Sequence, residues 1–372
     1  MRLVAEKAVP SGLTVLNVQG FRHLASVSLN FSPHLNVIYG VNAAGKSSLL
    51  EAIYFLARAK SFLTPRLQRV IANGGKEVVV TGRVQNASGR HQLGVSFTEG
   101  KTRVRLNGED VRSLSEFAGL IPIQVLNTEA QRLLTEGPTE RRSFLNWGVF
   151  HVEPAYREVW RRYQRGLRQR NAALRLGNES VAKAWETELS EAGEVVTEVR
   201  TQFLNTLMTE WAMLLNDWMP HLTFDWRYRT GWLQGESLSD ALQKGRSAEL
   251  KQGFTLYGPH RADLVLVVDD QPVSQRLSRG QQKIVVIALR LALLTLWRQH
   301  SANRPLLLLD DLAAELDAHH RGLVMDRVRG MDVQTFITTI EAERVPFSDQ
   351  AQWFHVEQGR ISADERNERG SA

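Results

Sequence analysis

Two β-type runs, Leu13 to Val18 and Leu35 to Tyr39, lie near the start of the chain and are separated by a loop containing Ser32 and Pro33. The second run leads directly into Gly40. From Lys46 to Ala57 the apolar positions Leu49, Leu50, Ile53, Tyr54, Leu56 and Ala57 recur at helical spacing, so strand, glycine loop and helix follow in order. Short alternating runs between Val78 and Leu106, with turn residues at Asn86 to Gly89 and at Glu99 and Gly100, predict antiparallel hairpins. From about Glu129 to Leu250 the pattern becomes helical and rich in arginine, and no strand series is evident. After Gly253 the β-type signal returns in Ala262 to Val268, followed by a long helix and the apolar run Leu306 to Leu309. The pattern predicts an α/β core split around an inserted helical lobe, with residues 1–127 and 251–372 forming the core and 128–250 the lobe. The most apolar stretch, Ile284 to Trp297, is interrupted by Arg290 and is shorter than the roughly 18 apolar residues of a membrane-spanning helix. It reads as a buried core helix. The first residues lack the apolar run and small-residue cleavage site of a secretory signal, and the tail after Ser362 is polar enough to be disordered.

Composition narrows the class without choosing within it. The 372 residues are 43% hydrophobic and 23% charged, the mix of a globular protein with a sizeable core. Lys and Arg number 46 against 40 Asp and Glu, a formal charge of +6, which favours a polyanionic partner. Cysteine is absent, so disulfides and cysteine metal sites are excluded, and a reducing compartment fits.

The chemistry begins at Gly40-Val41-Asn42-Ala43-Ala44-Gly45-Lys46-Ser47-Ser48, which has the Walker A spacing and follows a strand and opens a helix. In such a loop, backbone N–H groups and the helix N-terminus cradle phosphate oxygens, Lys46 reaches the β and γ phosphates of ATP, and the Ser47 hydroxyl ligates Mg²⁺. Far away in sequence, Leu306 to Leu309 ends in Asp310 and Asp311, as a Walker B strand does. Asp310 is the expected Mg²⁺ partner and Asp311 the group that orients or deprotonates the attacking water. About thirty residues before these carboxylates, Leu277-Ser278-Arg279-Gly280-Gln281 opens the long apolar helix. Alone it would read as a serine N-cap with a glycine turn. Placed before a Walker B strand, it resembles the signature motif of ABC-type ATPases, which implies that Ser278, Arg279, Gly280 and Gln281 contact ATP held by an opposite subunit. Asp317 then resembles the D-loop acid, and Thr338 and Thr339 stand where many such ATPases carry a switch histidine. Gln124, between the early core and the lobe, is the candidate Mg²⁺-sensing glutamine.

Gly20-Phe21-Arg22, Arg141-Arg142, Gln169-Arg170-Asn171-Ala172-Ala173-Leu174 and Gly258-Pro259-His260-Arg261-Ala262-Asp263, taken in order with the phosphate loop and signature, resemble the RecF family over nearly the whole chain. The resemblance implies an ABC-type P-loop ATPase head with a mixed sheet and a helical insert, an ATP-dependent homodimer, and slow, DNA-stimulated hydrolysis that acts as a switch. It also implies binding to single-stranded, gapped or junction DNA and work with RecR and RecO to direct RecA loading and the SOS response, in the cytoplasm at the nucleoid and without a membrane. Two departures stand out. The family's usual glycine is Ala43 here, a less permissive residue, and its usual threonine after the lysine is Ser47, which keeps the hydroxyl. Asp311, where ABC transporters carry glutamate, has a shorter reach and suits slow hydrolysis.

For DNA contact, Arg157, Arg161, Arg165, Arg168 and Arg175 follow spacings of three, four and seven, which places them on one face of a helix. Such a stripe either tracks phosphates or is a solvated helix surface paired with acids such as Glu153 and Glu158. Trp147, Trp160 and Trp185 read as packing residues or as base-stacking platforms. His260 and Arg261 either bind nucleotide or DNA or fix a turn beside a sheet. A transporter-type ABC subunit and a chromosome-organising ATPase would share the nucleotide motifs, but the lobe and the RecF-like segments oppose the first and the absence of sustained heptads opposes the second.

Overall fold

The computed structural model describes residues 12–111, 117, 119–127, 131–153, 155–301, 303–311, 316–340, 345 and 351–364. Two compact units result: residues 1–129 with 301–372, and residues 130–300. The segment expected from 251 as the second part of the core is thus divided between them.

The first unit begins with β1 (Gly12–Gln19), β2 (Val27–Asn30) and β3 (Leu35–Tyr39), followed by helix α1 (Lys46–Arg58). The β2 strand falls in the segment read as a loop. Its four residues are too few to show alternation in sequence, and pairing with β1 makes them a strand. The strands β4 (Glu77–Asn86), β5 (Gly89–Thr98) and β6 (Lys101–Leu106) are the expected hairpins, with turns at the expected positions, and β7 (Glu109–Asp110) adds a short strand beyond them. They extend β1 and β2 into an antiparallel sheet of order β2-β1-β4-β5-β6-β7. Strand β8 (Ile123–Leu126) ends the N-terminal part.

In the second unit, α2 (Pro138–Val152), α3 (Tyr156–Arg175) and the 33-residue α4 (Glu186–Trp218) precede β9 (Phe224–Arg229). A strand was not expected there. The segment FDWRYR alternates half-buried and exposed, and it forms because β10 (Asp263–Val268) supplies an antiparallel partner, while β11 (Gln271–Pro272) borders β10. Between them lies α5 (Leu238–Gln252), capped by the Ser237 side chain and ended by left-handed Gly253. The long α6 (Arg279–His300) packs on α4, with Trp211 donating its indole N–H to the Val285 carbonyl at 3.1 Å. By length and apolarity α6 passes as a membrane span, yet 72% of its apolar window is buried inside the protein, as a core helix requires.

The chain returns to the first unit with β12 (Leu306–Leu309), α7 (Ala318–Arg329), β13 (Gln334–Thr339), β14 (Gln352–Glu357) and β15 (Arg360–Ala363). These join β3 and β8 in a sheet of order β15-β14-β3-β13-β12-β8, parallel except for β15. One side of this sheet and the inner side of the antiparallel sheet enclose α1, whose Leu49, Leu50, Ile53, Phe55 and Leu56 are at most 1% exposed. Burial of α1 on nearly all sides fixes its N-terminus at the end of β3. The tail after Ser362 reads as disordered; β15 ends at Ala363, one residue into it, and residues 365–372 lie outside the described residues.

Candidate functional site

The loop after β3 is built from backbone conformations that favour glycine. Gly40 has φ of 152° and Gly45 of 122°, and a Cβ on Gly40 would lie 2.2 Å from the Val356 carbonyl oxygen of β14. Ala43 adopts φ of 61°, so this left-handed position, which favours glycine, is held by a residue that strains to occupy it. Val41, Asn42 and Ala43 are exposed, whereas Ala44, Gly45, Lys46 and Ser48 are buried. Gly45 precedes the first turn of α1, whose free N–H groups and dipole make an anion cradle.

Lys46 donates to the carbonyls of Gly40 at 2.9 Å and Val41 at 3.0 Å, so its ammonium folds back over the loop. Burial lowers its pKa, while Asp311 and Asp310 oppose that shift. At the end of β12, Asp310 is 9% exposed, and its Oδ1 accepts from the Ser47 hydroxyl at 2.9 Å and from the Thr338 hydroxyl at 2.8 Å. Burial raises the Asp310 pKa, and the two hydroxyls and Lys46 counter it. The Asp311 N–H donates to the Thr338 hydroxyl at 2.8 Å, and Asp311 has φ of 55°. Residues far apart in sequence therefore meet: Lys46 and Ser47 from the loop, Asp310 and Asp311 from β12, Thr338 from β13. Ser47 and Asp310 are adjacent oxygen donors of the hard type that Mg²⁺ takes.

Gln124 is placed elsewhere. It lies within β8 opposite Leu307, whereas Leu126 pairs with Leu309 and accepts from the Asp310 N–H at 2.9 Å. Side chains alternate along a strand, and Ile123, Val125, Leu306 and Leu308 face α1, so Gln124 projects from the other face. In register, the residue beside Asp310 is Asn127. Asp317 caps α7, accepting from the His320 N–H at 2.9 Å, and this bond lowers its pKa; the preceding positions Ala314 and Glu315 lie outside the described residues. In the second unit, Ser278 stands at the N-terminus of α6, with its hydroxyl accepting from the Gln281 N–H at 3.3 Å and its own N–H donating to Gln281 Oε1 at 3.0 Å. The helix starts at Arg279, slightly earlier than its apolar period, because serine capping and not apolar burial sets its start. Gly280 has open space where a Cβ would sit.

The arginine stripe is real over most of its length. Arg161, Arg165, Arg168 and Arg175 are exposed on α3, with no carboxylate in salt-bridge distance among the described residues, while Arg157 is half-buried over the Phe150 ring at 4.6 Å. Arg162, one residue off the stripe, pairs with Glu188 at 2.9 Å. The tryptophans pack: Trp147 meets Trp297 edge-on at 4.6 Å, Trp160 lies between Tyr156 and Tyr163, and Trp185 is half-buried beside α4. His260 and Arg261 belong to a structural knot. Arg141 forms a two-pronged pair with Asp263, Arg142 donates to the Ala262 carbonyl at 3.0 Å, and Arg200 donates to the Pro259 carbonyl at 2.8 Å. The His260 Nε2 faces the Thr255 carbonyl at 3.0 Å, which requires a proton there, so Nδ1 accepts from the Tyr163 hydroxyl at 2.6 Å. Arg261 is exposed above the Phe254 ring.

Sequence reasoning left two contributors out. Arg22 pairs with fully buried Glu51 of α1, which also accepts from Ser61, and this clamp ties the first turn after β1 to the phosphate-loop helix. His23, the next residue, lies 3.1 Å from where a Gly45 Cβ would be. Gly20-Phe21-Arg22 carries part of the family resemblance, but nothing in a linear chain says that it folds beside Gly45.

Comparison with known proteins agrees with this geometry. A profile of the RecF/RecN/SMC N terminal domain family matches residues 12–362. The chain is similar to DNA replication and repair protein RecF of Thioalkalivibrio sulfidiphilus, at 42% identity over 355 residues that cover 94% of this chain and 98% of that protein. RecF of Shewanella baltica is 38% identical over 358 residues, covering 95% and 99%. Among solved structures, the recombination mediator protein RecF-ATP of the RecFOR pathway has a similar fold, with TM-score 0.86 at 24% identity over 98% of this chain and 100% of that one. The Smc head bound to the C-winged helix domain of ScpA follows with TM-score 0.61 at 14% identity over 96% and 99%.

Proposed function

This chain belongs to the RecF family of DNA replication and repair proteins, and from that membership we propose that it is an ATP-gated DNA clamp whose phosphate loop binds ATP and whose closed dimer holds DNA. The observation that carries the reading is the meeting of Ser47, Asp310 and Thr338 at the end of the parallel sheet, which places the two nucleotide motifs within hydrogen-bond reach. A solved protein of this fold is a RecF-ATP structure.

The roles follow from chemistry. Gly40 to Ser48 wrap phosphate oxygens with backbone N–H groups, and the Lys46 ammonium turns from its loop carbonyls toward the β and γ phosphates. Ser47 and Asp310 are the residues that would hold Mg²⁺, which would supply neutralisation of the phosphate charge. Asp311 orients the attacking water, and Thr338 holds both carboxylate residues in place. Asp311 lacks the reach of glutamate and the switch position carries Thr338, so hydrolysis is slow and serves to reset a switch. Ser278, Arg279, Gly280 and Gln281 of a second copy cap the bound ATP, and Asp317 of the D-loop lies near the same dimer contact. Closure then organises basic surfaces, among them Arg161, Arg165 and Arg168, for phosphates of single-stranded, gapped or junction DNA. RecR and RecO are the expected partners in directing RecA loading and in the SOS response, and the protein works at the nucleoid of the cytoplasm.

DNA affinity measured with and without ATP across a salt series, for the intact chain and Lys46→Met, tests the clamp. ATP-dependent, salt-sensitive binding that the variant loses is the expected result. Binding indifferent to ATP and to Lys46 would overturn it.

A further inference from the structure

We propose that the outer face of the antiparallel sheet in the first unit is a binding surface for the sugar–phosphate backbone of DNA, a site separate from the α3 stripe. The inference rests on the DNA-binding reading above and locates a contact that reading leaves unassigned.

The inner face of this sheet is committed to the core through Val78, Val80, Val84, Leu93, Val95 and Phe97. Strand alternation therefore turns the intervening residues outward. Register lines them up across the strands. Ser28, Asn17, Thr81, Gly94 and Arg105 form one row, and Asn30, Val15, Arg83 and Gln92 form the next. Apart from Gly94 and buried Val15, the rows make a floor of small polar groups with guanidinium groups among and beside them. Along β6, Lys101, Arg103 and Arg105 share this face at about 7 Å spacing, as two-residue steps along a strand dictate.

The charge of the face is one-sided. Its strand residues include five cations, Arg83, Arg90, Lys101, Arg103 and Arg105, against two carboxylates, Glu77 and Asp110. Arg103 and Arg105 share Asp110 at 2.7 and 3.2 Å, so one carboxylate serves two guanidinium groups. Arg83, Arg90 and Lys101 are exposed and have no carboxylate in salt-bridge distance among the described residues; Arg90 donates only to the Gln85 amide at 3.1 Å. At the end of β4 the surface deepens into a cleft of about 620 Å³, lined in part by Arg83, Arg90, Gln85, Gln92, Asn30 and Asn107.

These groups match one class of partner. Protein interfaces are anchored by buried apolar or aromatic side chains, and no exposed large hydrophobic lies on this face among the described residues. Arginine, lysine, hydroxyl and amide groups without an apolar anchor are what DNA phosphates and sugars engage, in interfaces that are polar and positively charged. Without an aromatic platform, the face reads the backbone and not the bases.

The test is fluorescence anisotropy of a labelled gapped duplex with the full-length chain and ATP over a salt series, comparing the intact chain with the triple variant Arg83→Gln, Arg90→Gln, Lys101→Gln. The expected result is affinity lowered by about tenfold or more, with the log–log salt slope shallower by about 2 to 3, since each lost phosphate contact removes about 0.9. The charge-retaining pair Arg83→Lys, Arg90→Lys keeps the slope of the intact chain and guards against loss through misfolding. Intact-chain binding that the triple variant matches in affinity and slope overturns this site and leaves the DNA reading standing. An equal loss in the lysine pair overturns the electrostatic basis. Absence of DNA binding by the intact chain removes both this site and the broader reading.

Discussion

Thr338 ties together the two acidic residues of the site: its hydroxyl donates to the Asp310 carboxylate and accepts from the Asp311 backbone N–H. Asp311 needs such a tether, because its left-handed φ of 55° is costly for a residue other than glycine. Thr338→Val keeps the shape of β13 and removes the hydroxyl. Hydrolysis in single-turnover assays is expected to fall by about tenfold or more, with ATP affinity within about threefold, since a misaligned catalytic group costs mainly the chemical step. Unchanged hydrolysis would remove Thr338 from any positioning role. Lys46, Ser47, Asp310 and Asp311 were all legible in the sequence, because a phosphate loop and its partner strand need fixed residue types at fixed spacing. The role of Thr338 was not, because position alone suggested a missing histidine and only the fold gives its hydroxyl two partners. Gln124 misled for a related reason: glutamine in a β-type run carries no mark of which sheet face it will occupy.

Among the elements, α3 and the turn before β10 show how a sequence motif is used for architecture. Arg170 is fully buried and pairs with Glu249 at 2.6 Å and Glu186 at 2.9 Å, while also donating to the Thr255 hydroxyl; the neighbouring Asn171 accepts from the Thr255 N–H. Replacing Arg170 with Met leaves fully buried Glu249 without its ion-pair partner, while Glu186 keeps Arg246 at 2.6 Å, so urea unfolding is expected to show destabilisation by about 3 to 5 kcal/mol. A change below about 1 kcal/mol would mean that water reaches the pocket. His260 gives the same unit a pH response. Burial depresses its pKa from 6.5 to about 4, so the folded ring stays neutral at pH 5 while the unfolded chain takes up a proton. Stability from this group is complete above pH 6.5, is lost as pH falls toward 4, and levels off below; the loss amounts to about 3 kcal/mol at most. Urea midpoints at pH 7 and 4.5 should converge more closely for His260→Gln than for the intact chain, and parallel losses in both proteins would count against the neutral-histidine assignment.

For the whole molecule, the proposed clamp depends on two copies. Ser278 caps α6 with its hydroxyl facing the Gln281 N–H, and Gly280 leaves open space beside it, an arrangement suited to a phosphate carried by another copy. Ser278→Arg fills that space. In sedimentation velocity with ATP and Mg²⁺, the intact chain carrying Asp311→Asn is expected to form dimers, and the same chain with Ser278→Arg to remain monomeric while each copy still binds ATP. Dimers in both would dismiss the signature contact.

The sequence by itself determined the class of the molecule: an α/β core interrupted by a helical lobe, a phosphate loop between strand and helix, and a second acidic strand. Those features are local, written in apolar period and residue spacing within a few turns of chain. Strands β2 and β9 are not legible because a short strand is made by its partner, and only the fold sets β1 and β10 beside them. The tertiary structure decided what distant residues do together. It joined Ser47 to Asp310, sent Gln124 to the opposite face, and turned a row of separate arginines and hydroxyls into one basic sheet surface. Long-range register and the direction of each side chain are set by burial against other elements, and that information exists only once the chain has closed on itself.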